Sequence, residues 1–248
     1  MRALRLARIA DKAERSPREG RRVNTYNTLL SADDADAAVR RNPGFDEFLA
    51  SFARLAVRHE VPEVAGACLL HRHFTLRDEQ VIIEKADTWR GEAALISTPN
   101  AFDCARAAPS MWRFGADGHG PEALEFSEDP AVHDDVASIP DDFYADFAEL
   151  LDRSDLLELI GLTVLRRETL PLRHGERYLE ETDAGRSVVV VCADATKSDD
   201  AIATVWAPGE YMGCSVYNTC HQRNICRFAD NEHRHILGHT TERSHHRS

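Results

Sequence analysis

The chain has 248 residues, of which 43% are hydrophobic and 29% are charged, so its composition is that of a globular protein with a sizeable core. The formal charge of −12 argues against binding to nucleic acid or to anionic membranes, because both require a basic surface. No stretch reaches the roughly 18–20 apolar residues of a membrane-spanning helix, so we expect no membrane segment.

The N-terminus differs from the rest of the chain in charge. Residues 1–22 contain eight Lys or Arg and three Asp or Glu, a formal charge of +5. These acidic residues do not fit a transit peptide, and there is no apolar core of a secretion signal. We predict a flexible basic arm over 1–22, a single domain over 23–248, and a cytoplasmic location. In that reducing compartment the six cysteines are expected to be thiols or metal ligands rather than disulfides.

Three amphipathic helices are predicted from capping and spacing. The first begins after Ser31, an N-cap residue followed by acidic residues, and is broken at Pro43-Gly44. The second has an apolar stripe from Phe45 to Ala56 and ends before Pro62. The third begins after Pro140, and its apolar stripe continues beyond a break at Ser154.

Short runs rich in β-branched residues predict strands, and residues 99–140 are predicted to form a loop because they are rich in Pro, Gly, Asp and Ala. The Asp183-Ala184-Gly185 turn predicts a hairpin between two of the strands. The predicted strands cover residues 65–76, 79–86, 92–98, 177–182, 186–193 and 201–207. This order indicates an α+β fold with a mainly antiparallel sheet and helices packed on one side.

The first candidate site is His71-Arg72-His73. On a strand, residues i and i+2 face the same side about 6–7 Å apart, so both imidazoles could bind one metal ion. Glu79 and Glu84 follow as candidate carboxylates, and we predict His71, His73 and Glu79 as catalytic residues. The alternative is one imidazole facing solvent and another making a hydrogen bond in the core.

A His-x-His pair followed by a glutamate is similar to the ligand pattern of the cupins. In this chain the gap from His73 to Glu79 is longer than in that family. The family's downstream block of Gly, Pro, His and Asn is not cleanly present either, so the pattern alone does not assign the chain to the cupins.

The second candidate site is the Cys/His-rich segment 214–248. Its cysteines recur every six residues, which is wider than the knuckles of a zinc finger and unlike a dithiol or haem motif. On a helix, Glu232, His235 and His239 would share one face, whereas on a strand His233 and His235 would form a second His-x-His. The alternative is a solvated His-rich tail. The candidate metal ligands in this segment are Cys214, Cys220, His221, Cys226, His235 and His239.

These patterns lead to one main hypothesis and two alternatives. The main hypothesis is a metal-dependent enzyme acting on a small molecule, with zinc or iron held by His71 and His73 and completed by the C-terminal segment. The first alternative is a binding protein in which a purely structural zinc ion staples the C-terminal segment. The second is a cysteine-dependent enzyme with a nucleophile from the same segment.

Overall fold

The structure is a computed structural model that describes residues 25–101, 106–115, 120–173, 176–183, 185–193, 202–208 and 220–228. For residues 183, 192, 193 and 220–228 only the backbone is described. The predicted N-terminal arm, residues 1–22, lies outside the described residues, and the domain boundary there stays a prediction.

The described helices of eight residues or more are α1 (Ala32–Arg41), α2 (Phe45–Arg58), α3 (Pro130–Ser138) and α4 (Asp141–Arg153). Helices α1, α2 and α4 confirm the three predicted helices. The Ser31 hydroxyl accepts a hydrogen bond from the backbone N–H of Asp34 at 3.1 Å, as an N-cap residue does. None of the described helices is long and apolar enough to cross a membrane.

The described residues form ten strands, and each of the first three begins within one residue of its predicted start. They are β1 (Ala65–Leu69), β2 (Gln80–Trp89), β3 (Glu92–Ala101), β4 (Ala108–Phe114), β5 (Pro121–Ser127), β6 (Ile160–Val164), β7 (Glu176–Asp183), β8 (Arg186–Ala193), β9 (Ile202–Pro208) and β10 (Cys220–Phe228). Strands β7 and β8 pair antiparallel up to Asp183 opposite Arg186, which confirms the predicted hairpin.

The ten strands follow one another in the order β1-β6-β4-β5-β2-β3-β8-β7-β10-β9, and β9 pairs with β1 to close a barrel. The sheet is mixed, because β2 pairs parallel with β5 and β7 pairs parallel with β10. Helices and strands therefore combine in one fold, which confirms the coarse part of the prediction, and strands predominate in it. Closure of the sheet is a feature that the sequence patterns did not predict.

The predicted loop over 99–140 is wrong. This region contains β4, β5 and α3, whose residues are almost all buried or half-buried. Strand β6 likewise replaces the apolar stripe predicted to continue from the third helix. A Cβ at Gly161 would collide with the backbone carbonyl of Trp112, so this strand needs a glycine where it lies against β4.

The barrel wall has two different faces. Alternate residues of β1 and β6 join the aromatic residues of the helices in one large apolar cluster, and this face is the outer one because the helices lie outside a closed barrel. Glu84 on β2 and Tyr178 on β7 line a cavity with residues of β3, β8 and β9, so they face the interior. Glu180 is two residues after Tyr178 on the same strand and faces the same way. The wall members of the outer cluster include Ala65, Ala67, Leu69, Ile160, Leu162 and Val164.

Candidate metal centre

His71 and His73 lie directly after the end of β1, not on the strand itself as predicted. Both are buried, with 3% of their surface exposed, and their ring centroids are 4.5 Å apart. The i, i+2 spacing therefore brings the two imidazoles side by side although the chain has left the strand. Such proximity of two buried imidazoles is an arrangement that one metal ion can use.

The loop over residues 70–76 that carries the two histidines has no regular structure and is held by the segment over residues 25–31, which we call the N-terminal strap. The backbone N–H of His73 donates to the Tyr26 hydroxyl at 3.0 Å, and that of Arg72 donates to the Leu30 carbonyl at 3.0 Å. The Asn27 side chain bonds both backbone groups of Leu76, at 2.8 and 2.9 Å. These bonds fix the backbone of the loop, which is a requirement for a preformed binding site.

The imidazole of His71 is oriented by the last residue of β1. Its Nδ1 lies 2.8 Å from the backbone carbonyl of Leu69, and since a carbonyl only accepts, Nδ1 carries the hydrogen. The lone pair of a neutral ring is then on Nε2, which is the atom available to a metal ion. Metal-binding histidines are commonly oriented in this way by a carbonyl on the other ring nitrogen.

The imidazole of His73 bridges to the opposite part of the wall. Its Nδ1 is 2.9 Å from the Thr182 hydroxyl and its Nε2 is 3.3 Å from Glu180 Oε1. Glu180 and Thr182 are i and i+2 on β7, so both side chains face the interior. Without a metal ion, Nε2–H can donate to the carboxylate. With one, Nδ1–H can donate to the hydroxyl and leave Nε2 as a ligand.

Glu180 is the carboxylate of the site, and its side chain is only 13% exposed. Burial raises the pKa of its carboxyl above the ordinary value, while the nearby His71 and a hydrogen bond from the Ser187 hydroxyl act in the opposite direction. A divalent cation would stabilise the ionised form that burial disfavours. Sequence reasoning missed this residue because its strand offered no signal that it would lie beside a loop over 100 residues away.

The three side chains together offer one ligand atom each, and these atoms all lie within 4.8 Å of one another. An ion with bonds of about 2.0–2.2 Å places its ligands about 3–4 Å apart. The separation of 3.3 Å between His73 Nε2 and Glu180 Oε1 already matches, and the remaining distances need only a small closure. We call this group, His71, His73 and Glu180, the interior triad.

The other predicted residues are not part of the interior triad. Glu79 is exposed, with a positive φ of 66°, in the turn before β2. Glu84 faces the interior but is bound to Arg167, at 2.5 Å from its Nε, and to the Ser127 hydroxyl at 2.7 Å. The carboxylate that joins the two histidines is therefore on β7 and not on the following strand, where the sequence indicated it.

The C-terminal segment meets this region through its backbone. Cys220, His221 and Cys226 are on β10, which lies beside β7, and Cys226 is opposite Glu180 in the register of the parallel pair. The side chains of β10 are not described. Cys214, His235 and His239 lie outside the described residues, and their role as ligands stays a prediction.

The interior triad thus combines two imidazoles and one carboxylate, with a backbone carbonyl and hydroxyls fixing their orientation. The site is formed by the loop after β1 and by the β7–β8 hairpin, and the N-terminal strap holds that loop by hydrogen bonds to its backbone. The chain matches no protein-family model, no curated protein and no solved structure, so its function has to be inferred from this geometry.

Proposed function

We propose that the protein binds a divalent metal ion through the interior triad and acts with it as an enzyme on a small molecule. The observation that carries this proposal is the convergence of three donor atoms within 4.8 Å of one another inside a closed barrel. Buried charged groups are costly unless they are paired or bind a metal. A divalent cation would balance the charge of the ionised carboxylate and would be bound by the lone pairs of the two imidazoles.

The donor set favours zinc or iron. Imidazole nitrogen and carboxylate oxygen together suit both ions, and three protein ligands leave at least one coordination position for water or substrate. A fully closed set of four protein ligands would instead be typical of a structural site. The three-ligand arrangement is the reason that we propose catalysis rather than a purely structural role. The proposed location of the protein is the cytoplasm, as the sequence predicts.

The position of β10 supports a contribution from the C-terminal segment. Its backbone runs beside the strand that carries Glu180, with Cys226 in register with that residue. A ligand from this segment would complete the coordination, and four protein ligands would then favour the alternative of a structural zinc site. Finding which side chains are required for metal binding therefore distinguishes an open three-ligand site from a closed four-ligand site.

The test is elemental analysis of the protein purified without an affinity tag and dialysed against a weak chelator. We expect one equivalent of zinc or iron, which His71→Ala, His73→Ala or Glu180→Gln removes. The matched control is His133→Ala, which removes a half-buried imidazole on α3 and should leave the metal content unchanged. Full metal content in all three triad variants would contradict the proposal.

Two further measurements address the alternatives. A His235→Ala/His239→Ala variant that loses the metal would show that the C-terminal segment takes part in the site. Replacing the ion with Co²⁺ makes the coordination visible by absorption, so a small molecule that enters the open position should change the spectrum. If none does, and alkylation of thiols abolishes an activity that persists in metal-free protein, the cysteine-dependent enzyme is the better hypothesis.

A further inference from the structure

Glu125 is a third interior glutamate, and a bulge in β5 directs it. The register between β4 and β5 passes from Met111 opposite Glu125 to Trp112 opposite Ala123, so that Leu124 is skipped. Leu124 packs in an interior cluster with Tyr26 and the loop that carries the histidines. A bulge that skips one residue redirects the neighbouring side chain, and such bulges are frequent beside functional sites.

The carboxylate of Glu125 has an unusual environment. Its Oε1 is buried and makes no hydrogen bond to any of the described residues. Burial, and after it the nearby charges on Glu180 and Glu84, raises the pKa of this carboxyl to about 8, against the opposing effect of Arg167. A buried polar atom without a hydrogen bond costs about 1–3 kcal/mol and calls for an explanation such as a water molecule or an ion.

The charges of the barrel interior also favour a bound cation near Glu125. The charges of Glu84 and Glu180 both act on Glu125 there, and the nearby cation of Arg167 is bound to Glu84. Burial raises the pKa values of both Glu125 and Glu180, so ionising the two carboxyls together is costly without a cation. One divalent ion at the interior triad would balance both carboxylates.

Glu125 does not belong to the group of ligand atoms that lie within 4.8 Å of one another, so it is not a direct ligand in this geometry. On the basis of the proposed metal site, we infer that Glu125 is the outer-sphere carboxylate of the centre. Its Oε1 accepts a hydrogen bond from a water molecule, and this water is bound to the ion at the position that the interior triad leaves open. This bond satisfies the buried oxygen and holds the water in one orientation. The ligand class is therefore a hydrated divalent cation rather than an anion.

The test compares Glu125→Gln with the wild type in two measurements. Titration with chelator-buffered Zn²⁺ should give a dissociation constant about 10–100-fold higher in the variant, the usual effect of losing an outer-shell partner. The melting temperature of the metal-free variant should be equal to or higher than that of the wild type, because the buried Glu125 carboxyl has to take up a proton on folding at neutral pH and glutamine does not. Glu149→Gln, which removes an exposed carboxylate on α4, is the control and should change neither quantity.

A second variant, Glu125→Asp, keeps the charge but retracts the oxygen by one methylene, and should also weaken zinc binding. If the wild type and both Glu125 variants bind zinc with the same affinity, this inference is overturned, but the proposed metal site is not. A lower melting temperature of the metal-free Glu125→Gln variant would indicate a structural role and would also overturn it. Wild type that binds no zinc would overturn the proposed metal site and, with it, the role of Glu125.

Discussion

The two faces of the barrel wall contrast in chemistry. The outer face and the helices form an apolar cluster in which Phe48, Phe52 and Phe147 contact one another. The interior contains apolar side chains too, but it also gathers two histidines, three glutamates and an arginine. The outer face can stabilise the fold by burying apolar surface, whereas the interior charges are costly to bury. The difference teaches that the groups which stabilise the fold and the groups of the proposed metal site lie on opposite sides of one sheet.

The largest expected effect tests the outer face. Phe147 is fully buried and its ring contacts those of Phe52, Phe114 and Phe143. Phe147→Ala should lower the free energy of unfolding by about 3–5 kcal/mol, because it leaves a cavity in this cluster. Urea denaturation measures this loss. The zinc affinity of the folded variant should stay unchanged, and a large change in affinity would show that the two faces are not independent.

The next effect tests the interior. Zinc at a hundredfold excess over its dissociation constant should stabilise the wild type by about 2.7 kcal/mol, and the melting temperature should rise accordingly. His73→Ala should abolish this rise, since Nε2 of that ring is a proposed ligand. His59→Ala, which removes an imidazole that binds Asp146 on the helical side, should retain the rise even if its baseline is lower. Equal rises in all three proteins would show that the stabilising ion does not bind through His73.

A third prediction concerns the pH dependence of the metal-free protein. In the folded state Glu125 keeps its proton up to about pH 8, whereas the unfolded chain releases it near pH 4.3 or so. Between these values the folded state binds more protons, so the contribution of Glu125 to stability falls as the pH rises. The contribution of this one carboxyl to the free energy of unfolding changes by at most about 1.4 kcal/mol per pH unit. Chemical denaturation across this range should show a shallower fall in Glu125→Gln, and identical slopes would contradict the prediction.

The smallest effect is expected at the helical surface. A hydrogen bond from His59 lowers the pKa of the Asp146 carboxyl, and the charge of Arg58 adds to this effect. A lowered pKa contributes stability above the ordinary carboxyl range and loses it as the pH falls through the folded-state value. Asp146→Asn should therefore be slightly less stable than the wild type at neutral pH and equally stable in acid. Thermal melts at both pH values measure the difference.

Local signals were sufficient for part of the fold. The helices that begin after Ser31 and Pro140 and the hairpin at Asp183 follow from capping, apolar spacing and turn residues, all within a few positions. The region over 99–140 misled because Pro109 and Pro121 lie within or at the start of strands and bulges interrupt their alternation. Barrel closure depends on pairing between distant strands, which no local pattern encodes.

The candidate site was predictable only in its first half. His71 and His73 carry an i, i+2 signal that can be seen in the sequence, and the structure brings the rings together. Glu180 and Glu125 each lie in a strand whose acidic residues look like solvent-facing positions, and only the topology brings them to the interior. Glu79 was predicted because it is near the two histidines in sequence. In a closed barrel, however, residues that are distant in sequence can be neighbours in space.

The N-terminal strap has a consequence for the order in which the site can form. Tyr26 and Asn27 leave the ribosome first, the two histidines follow, and Glu180 emerges more than 100 residues later. An incomplete chain can therefore hold the histidine loop before its carboxylate exists. In the proposed metal site, high-affinity binding of the ion would have to wait until β7 has been synthesised and paired, so a loaded site would mark a chain whose early and late segments have already met.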